Sequence, residues 1–224
     1  VMFANTVTGT SLSVVGTSTL NGGSVTTTGA QSYSSAMALG VDTVLEAGSS
    51  NITLSGTVDS ATSTAKALTL NSSGTTTLGG TVGNTRALAS LTTNAVGMVV
   101  VSTDTVRTTG AQTFHDMVSV MNDATFTASQ INFNAPVMSA GSLSLVGEVN
   151  LNGGSVTTAR AQSYSGAVKL MRDTLIDAGT GDITFHSTVD GAYALSLHSG
   201  GTSTLEAPVG GIAALTSLST NTGG

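Results

Sequence analysis

The residues of this 224-residue chain with the strongest claim to chemistry are three acids at a fixed distance from a repeated motif. Asp42, Asp123 and Asp173 each stand 11 residues after the glutamine of an Ala-Gln pair, at Gln31, Gln112 and Gln162. A ladder of carboxylates could ligate Ca²⁺ or supply catalytic acids. Calcium asks for several oxygen ligands converging in one loop. The nine-residue Gly-Gly-x-Gly-x-Asp repeat of calcium-binding β-rolls is absent from the sequence. Asp side chains readily accept hydrogen bonds from nearby turn N–H groups. Asp42, Asp123 and Asp173 are therefore expected to cap local backbone at turns, as are Asp59 and Asp190, and neither a metal nor any other cofactor is expected.

Each of the three glutamines is followed two positions on by an aromatic ring: Tyr33, Phe114 and Tyr164. An exposed Gln–aromatic pair can hold a sugar. The copies lie 81 and 50 residues apart, too far to form one continuous ladder. The expectation is structural, with the ring filling a corner and the amide satisfying backbone groups at the bend. His115, His186 and His198 show no metal-pair spacing and no matched repeat position, so they are read as solvated. Ser is abundant, but no Gly-x-Ser-x-Gly elbow occurs. Polysaccharide cleavage needs clustered carboxyl groups, and the twelve acids are scattered, so no enzyme is expected. The Thr-x-Thr pairs Thr17-Thr19, Thr62-Thr64, Thr103-Thr105, Thr125-Thr127 and Thr202-Thr204 are separated by 45, 41, 22 and 77 residues. An ice-matching face would require one constant spacing.

Composition narrows the partners. Only 8% of the residues are charged, against roughly 25% in an ordinary domain, and Thr, Ser and Gly take their place. The mean hydropathy of +0.29 and the two prolines argue for a folded chain rather than a disordered one. Six scattered bases against twelve acids exclude a nucleic-acid footprint. No run approaches the ~18 apolar residues of a membrane span, so no membrane insertion is expected. The absence of Cys removes disulfides and thiolate sites.

The elements that must position these residues are visible in a long internal repeat. The segment from Leu12 to Asp59 recurs from Leu143 to Asp190, an offset of 131 residues, and a shortened copy lies between them at Arg107-Thr108-Thr109-Gly110-Ala111-Gln112-Thr113-Phe114. The copies are placed at 12–97, 98–142 and 143–224. Within them apolar and polar residues alternate, as in Leu68-Thr69-Leu70 and Ile183-Thr184-Phe185, which is strand periodicity. Turn clusters such as Asn21-Gly22-Gly23 and Asn152-Gly153-Gly154 punctuate the strands. An antiparallel sandwich and a parallel solenoid both fit that texture. The long repeat, the length differences falling between strands and the neutral stackable surface favour the solenoid. The expected fold is all-β, a right-handed parallel β-helix of about ten coils, on the order of 50 Å long. It is read as one segment of a longer protein.

The stretches Gly22-Gly23-Ser24-Val25-Thr26-Thr27-Thr28-Gly29-Ala30-Gln31-Ser32-Tyr33 and Asp182-Ile183-Thr184-Phe185-His186-Ser187-Thr188-Val189-Asp190-Gly191-Ala192 resemble the repeats of filamentous-haemagglutinin-like bacterial exoproteins. Ala87-Leu88-Ala89-Ser90-Leu91-Thr92 and Ala214-Leu215-Thr216-Ser217-Leu218 extend the resemblance over most of the chain. That resemblance implies export across a Gram-negative outer membrane and an extracellular or cell-surface rod with an adhesive or matrix-building role. The expected partners are glycans, a host or neighbouring cell surface, and further copies of the chain meeting end to end or side by side. The alternatives are a self-assembling extracellular filament or sheath and, more remotely, a polysaccharide-active β-helix enzyme.

Overall fold

A computed structural model describes residues 1–94 and 96–221; Ala95 and residues 222–224, which fall within the expected repeat copies, lie outside the described residues. Among the described residues there is no helix, and every strand pairing is parallel. The chain winds into a β-solenoid of eleven turns, one more than the sequence suggests, with three strand positions per turn.

The first face opens with Met2–Phe3, Ser18–Leu20, Met37–Leu39 and Val58–Ser60. It then narrows to a single bridge at Val82 before resuming at Thr105–Arg107 and continuing to Ser203–Leu205. The second face runs from Val7–Gly9 to Val189–Asp190 and the bridge at Val209. The third is an uninterrupted eleven-strand ladder from Leu12–Val14 to Ser217–Thr220. In turns seven and eight the strands Ala124–Phe133 and Leu143–Leu151 each run around a corner and serve both the first and second faces, with a register shift between Thr127 and Gln130. Paired residues lie from 17 (Met2 and Thr19) to 25 (Thr43 and Leu68) positions apart, so turn length varies while strand register holds.

The alternation read from the sequence becomes an inside and an outside. Leu68, Leu70, Ile52, Leu54, Val99, Val101 and Ile183 face a closed core with essentially no exposure. The same core takes in the rings of Phe114, Phe126 and Phe133, and stacks Tyr164 on Phe185 at 4.7 Å. Two glycine pairs related by the repeat hold left-handed backbone that other residues rarely adopt: Gly23 and Gly154 at φ 80° and 81°, and Gly48 and Gly179 at 55° and 52°. The corner geometry is thus written twice.

The repeat does not span a whole number of turns. Leu12 lies on the third face of turn one, whereas Leu143 lies on the first face of turn eight. The 131-residue offset therefore covers six turns and one further face, and matched residues point in different directions. The three Ala-Gln copies show the rotation: Gln31 sits on the third face, Gln112 on the second and Gln162 on the first.

Candidate functional site

The Gln–aromatic pairs are interior. Gln31, Gln112 and Gln162 are at most 1% exposed, which removes them from contact with any sugar at the surface. Each stands at or next to the start of its strand (Gln31–Tyr33, Ala111–Phe114 and Gln162–Tyr164), just past the bend at Thr28-Gly29, Thr109-Gly110 or Ala159-Arg160. Each amide nitrogen bridges two carbonyls with the same sequence offsets. Gln31 Nε2 donates to Val25 O at 3.0 Å and Glu46 O at 2.8 Å. Gln112 Nε2 donates to Val106 O and Thr127 O, both at 3.0 Å. Gln162 Nε2 donates to Val156 O at 3.2 Å and Asp177 O at 2.7 Å. One side chain thus ties its own turn to the next, and it does so on whichever face the repeat places it.

The ring two positions on completes the arrangement in two of the three copies. Tyr33 and Tyr164 donate their hydroxyls to the Oε1 atoms of Gln31 (3.1 Å) and Gln162 (2.7 Å). Burial pushes both phenols well above the ordinary tyrosine range, so they stay protonated and remain donors. Phe114 has no hydroxyl to offer, and Gln112 Oε1 is buried without a hydrogen-bond partner.

The recurrent acids act between turns rather than within one. Asp42 Oδ1 accepts the N–H of Ala67 at 2.9 Å, Asp123 Oδ1 that of Ser142 at 2.7 Å, and Asp173 Oδ1 that of Ala194 at 2.9 Å. Asp59 and Asp190 each receive a pair of N–H groups from a loop on the next turn: Thr85 and Arg86 in one case, Ile212 and Ala213 in the other. Those bonds, led by the one from Ile212, hold the Asp190 carboxyl below the usual carboxylate range. Local capping, the expectation from sequence, is replaced by stapling across about twenty residues, because stacking brings the start of the next turn closer than any turn residue. Among the described residues no three His, Asp or Glu side chains gather as a metal site. His186 pairs with Glu206 at 2.9 Å, and His115 meets Asn134 at 3.1 Å, both across adjacent turns.

The outer wall does form a site, and it is one the sequence reading did not pick out. A groove of about 660 Å³ runs along the second face of the later turns. Its floor is a column in strict register, Thr113, Asn132, Asn150, Lys169 and Asp190. The amides form a polarised chain: Asn150 Nδ2 donates to Asn132 Oδ1 at 2.7 Å, and Asn132 Nδ2 donates to Thr113 Oγ1 at 3.1 Å. Gln130 and Glu148 line one side, and Asn134, Asn152 and Met171 the other. The loop at Ile212 and Ala213, held by Asp190, closes the far end. Glu148 and Lys169 are exposed, and neither makes an ion pair or hydrogen bond from its side chain among the described residues. Comparison of the chain with protein-family models, with curated proteins and with solved structures yields no match.

Proposed function

We propose that this chain is a structural rod segment of a bacterial cell-surface or secreted adhesin-like exoprotein, which makes adhesive contacts through its neutral, polar outer wall. The observation that carries this reading is the eleven-turn parallel solenoid, whose inside is packed with aliphatic and aromatic side chains while Thr, Ser and Asn occupy its outward positions. Backbone ladders along the axis resist extension, and a hydroxyl- and amide-rich wall supports many weak contacts at once. No enzyme is proposed: the groove holds two carboxylates, Glu148 and Asp190, and Oδ1 of Asp190 already accepts two backbone N–H groups. Electron microscopy of the purified chain, with cell-retention assays on beads that carry it, tests the reading. Discrete rods about 50 Å long that retain beads on cells are expected; beads that wash off as readily as uncoated ones count against adhesion.

A second reading, a self-assembling filament or sheath, is favoured by the exposed apolar side chains of Met121 and Met138 on the outer wall, which rods meeting side by side would cover. Ordered fibres in the same micrographs would favour it. Reducing-sugar release from a polysaccharide panel would reveal the remote enzymatic alternative.

A further inference from the structure

The two long repeat copies contain corresponding grooves whose floors carry different side chains, and whose loops differ as well, with Arg86 in the first where Ala213 stands in the second. In the first copy a smaller groove of about 370 Å³ lies on the first face of turns two to four, over Thr17, Thr19 and Ala38 and against Asp59. The 131-residue offset carries these four onto Glu148, Asn150, Lys169 and Asp190 of the larger groove. The scaffold is retained: Asp59 and Asp190 make the same loop staple, and the corner glycines Gly23 and Gly154 share one conformation. What differs is the chemistry of the outward side chains. Two threonines and an alanine have been exchanged for a carboxylate, a carboxamide and an ammonium. Folding does not require that exchange, since the first copy holds the same architecture without it.

From this the geometry points to a binding site in the Glu148–Asn150–Lys169 groove for an extended, uncharged polysaccharide strand lying along the rod axis. The inference rests on the adhesive reading above and names its ligand class. Successive floor residues are one strand spacing apart, about 4.8 Å, a rise comparable to one pyranose unit of an extended glycan. Each carboxamide can donate and accept, which suits neighbouring sugar hydroxyls that do both. Among the described residues Glu148 and Lys169 have no side-chain partner and offer charge-assisted hydrogen bonds, and with Asp190 the groove carries two carboxylates against one ammonium, a balance that disfavours an anionic polymer. Met171, 42% exposed, and Ile212, 91% exposed, supply apolar surface for the faces of sugar rings. The Ile212–Ala213 loop closes one end of the groove, so the strand enters from the Thr113 end and lies along the column.

The repeat supplies its own control. The triple variant Glu148→Thr/Asn150→Thr/Lys169→Ala installs the residues of the first copy, which the fold already accommodates. Wild type and variant are compared for binding to immobilised neutral polysaccharides (β-glucan, mannan, galactan and starch), to an anionic polysaccharide (alginate) and to a random peptide array. The expected result is retention of the wild type on at least one neutral polysaccharide and a loss of about tenfold or more in the variant, with superimposable circular dichroism and thermal transition. Equal binding by both proteins would overturn the assignment to this groove while leaving adhesion through the rest of the wall intact. Failure of the wild type to bind any neutral polysaccharide, or a preference for alginate or peptide, would overturn the ligand class. Failure of the rod and adhesion reading itself would show instead in the micrographs and the bead assay.

Discussion

At the scale of single residues, interior polar groups decide more than surface ones do. The third Gln–aromatic copy lacks its hydroxyl, so Phe114→Tyr should supply Gln112 Oε1 with the donor that Tyr33 and Tyr164 give their glutamines. The gain should be about 1 kcal/mol, and Tyr164→Phe should lose about 1–3 kcal/mol by orphaning a buried acceptor. Denaturant titration checks both, and a stabilised Tyr164→Phe would sink the account. Asp116 offers a pH-dependent case. It is 3% exposed, one of its carboxyl oxygens has no hydrogen-bond partner, and burial pushes its carboxyl up against the opposing pull of Thr93, Gly97 and His115. A carboxyl raised on folding favours the folded state below its unfolded value, about 3.9, and that benefit is lost as pH rises through the folded value. Asp116→Asn cannot ionise, so it should be more stable than wild type at pH 7, with the difference vanishing below about pH 4. Thermal melts across that range measure it; a difference that is constant with pH would show that ionisation is not the cause.

At the scale of strands and corners, the packing of one turn on the next leaves no room for a side chain at chosen points. A Cβ added to Gly56 would fall inside contact distance of the Ser35 backbone carbonyl, and one added to Gly80 would meet the carbonyl of Gly56. Gly56→Ala should therefore cost about 1–3 kcal/mol through overpacking, whereas Gly16→Ala, where a Cβ has open space, should cost far less. A pair of chemical melts distinguishes the two, and equal losses would mean that chain entropy rather than close approach is at work. Such corners were only half legible in the sequence. Alternation in Leu68-Thr69-Leu70 and Ile183-Thr184-Phe185 foretold strands and their buried faces. The recurrence of Gly23 at Gly154 foretold a shared bend. The partners of Asp42, Asp123 and Asp173 were not legible, because their hydrogen bonds reach about twenty residues ahead, to a position set by turn length and not by any local signal. The groove could have been noticed, since Thr17, Thr19 and Ala38 align with Glu148, Asn150 and Lys169. What sequence alone could not say is that these three point outward, side by side, on successive turns.

At the scale of the whole molecule, the repeat is a screw operation rather than a copy along one edge. Six turns and one face advance the pattern by about 30 Å, taking about 4.8 Å per turn, and move it round by one of three faces. The groove therefore cannot recur on the same face until three units have been laid down, nineteen turns and about 90 Å along the rod. A rod continued by further copies would display its binding grooves on all sides in rotation. That arrangement engages partners whatever the rod's roll about its axis and spreads weak contacts around it. A chain carrying three consecutive copies of residues 12–142 tests the geometry, because each junction reproduces the native passage from Ser142 to Leu143 by joining Ser142 to Leu12. With Ala38 changed to Cys in every copy and tagged with gold clusters, electron microscopy should show labels spaced about 30 Å apart along the axis and turning by one face at each step. Labels aligned on one side would mean that the unit spans whole turns, and the screw would be wrong. Labels that step round the rod would establish that the 131-residue period sets both the spacing and the direction of the groove.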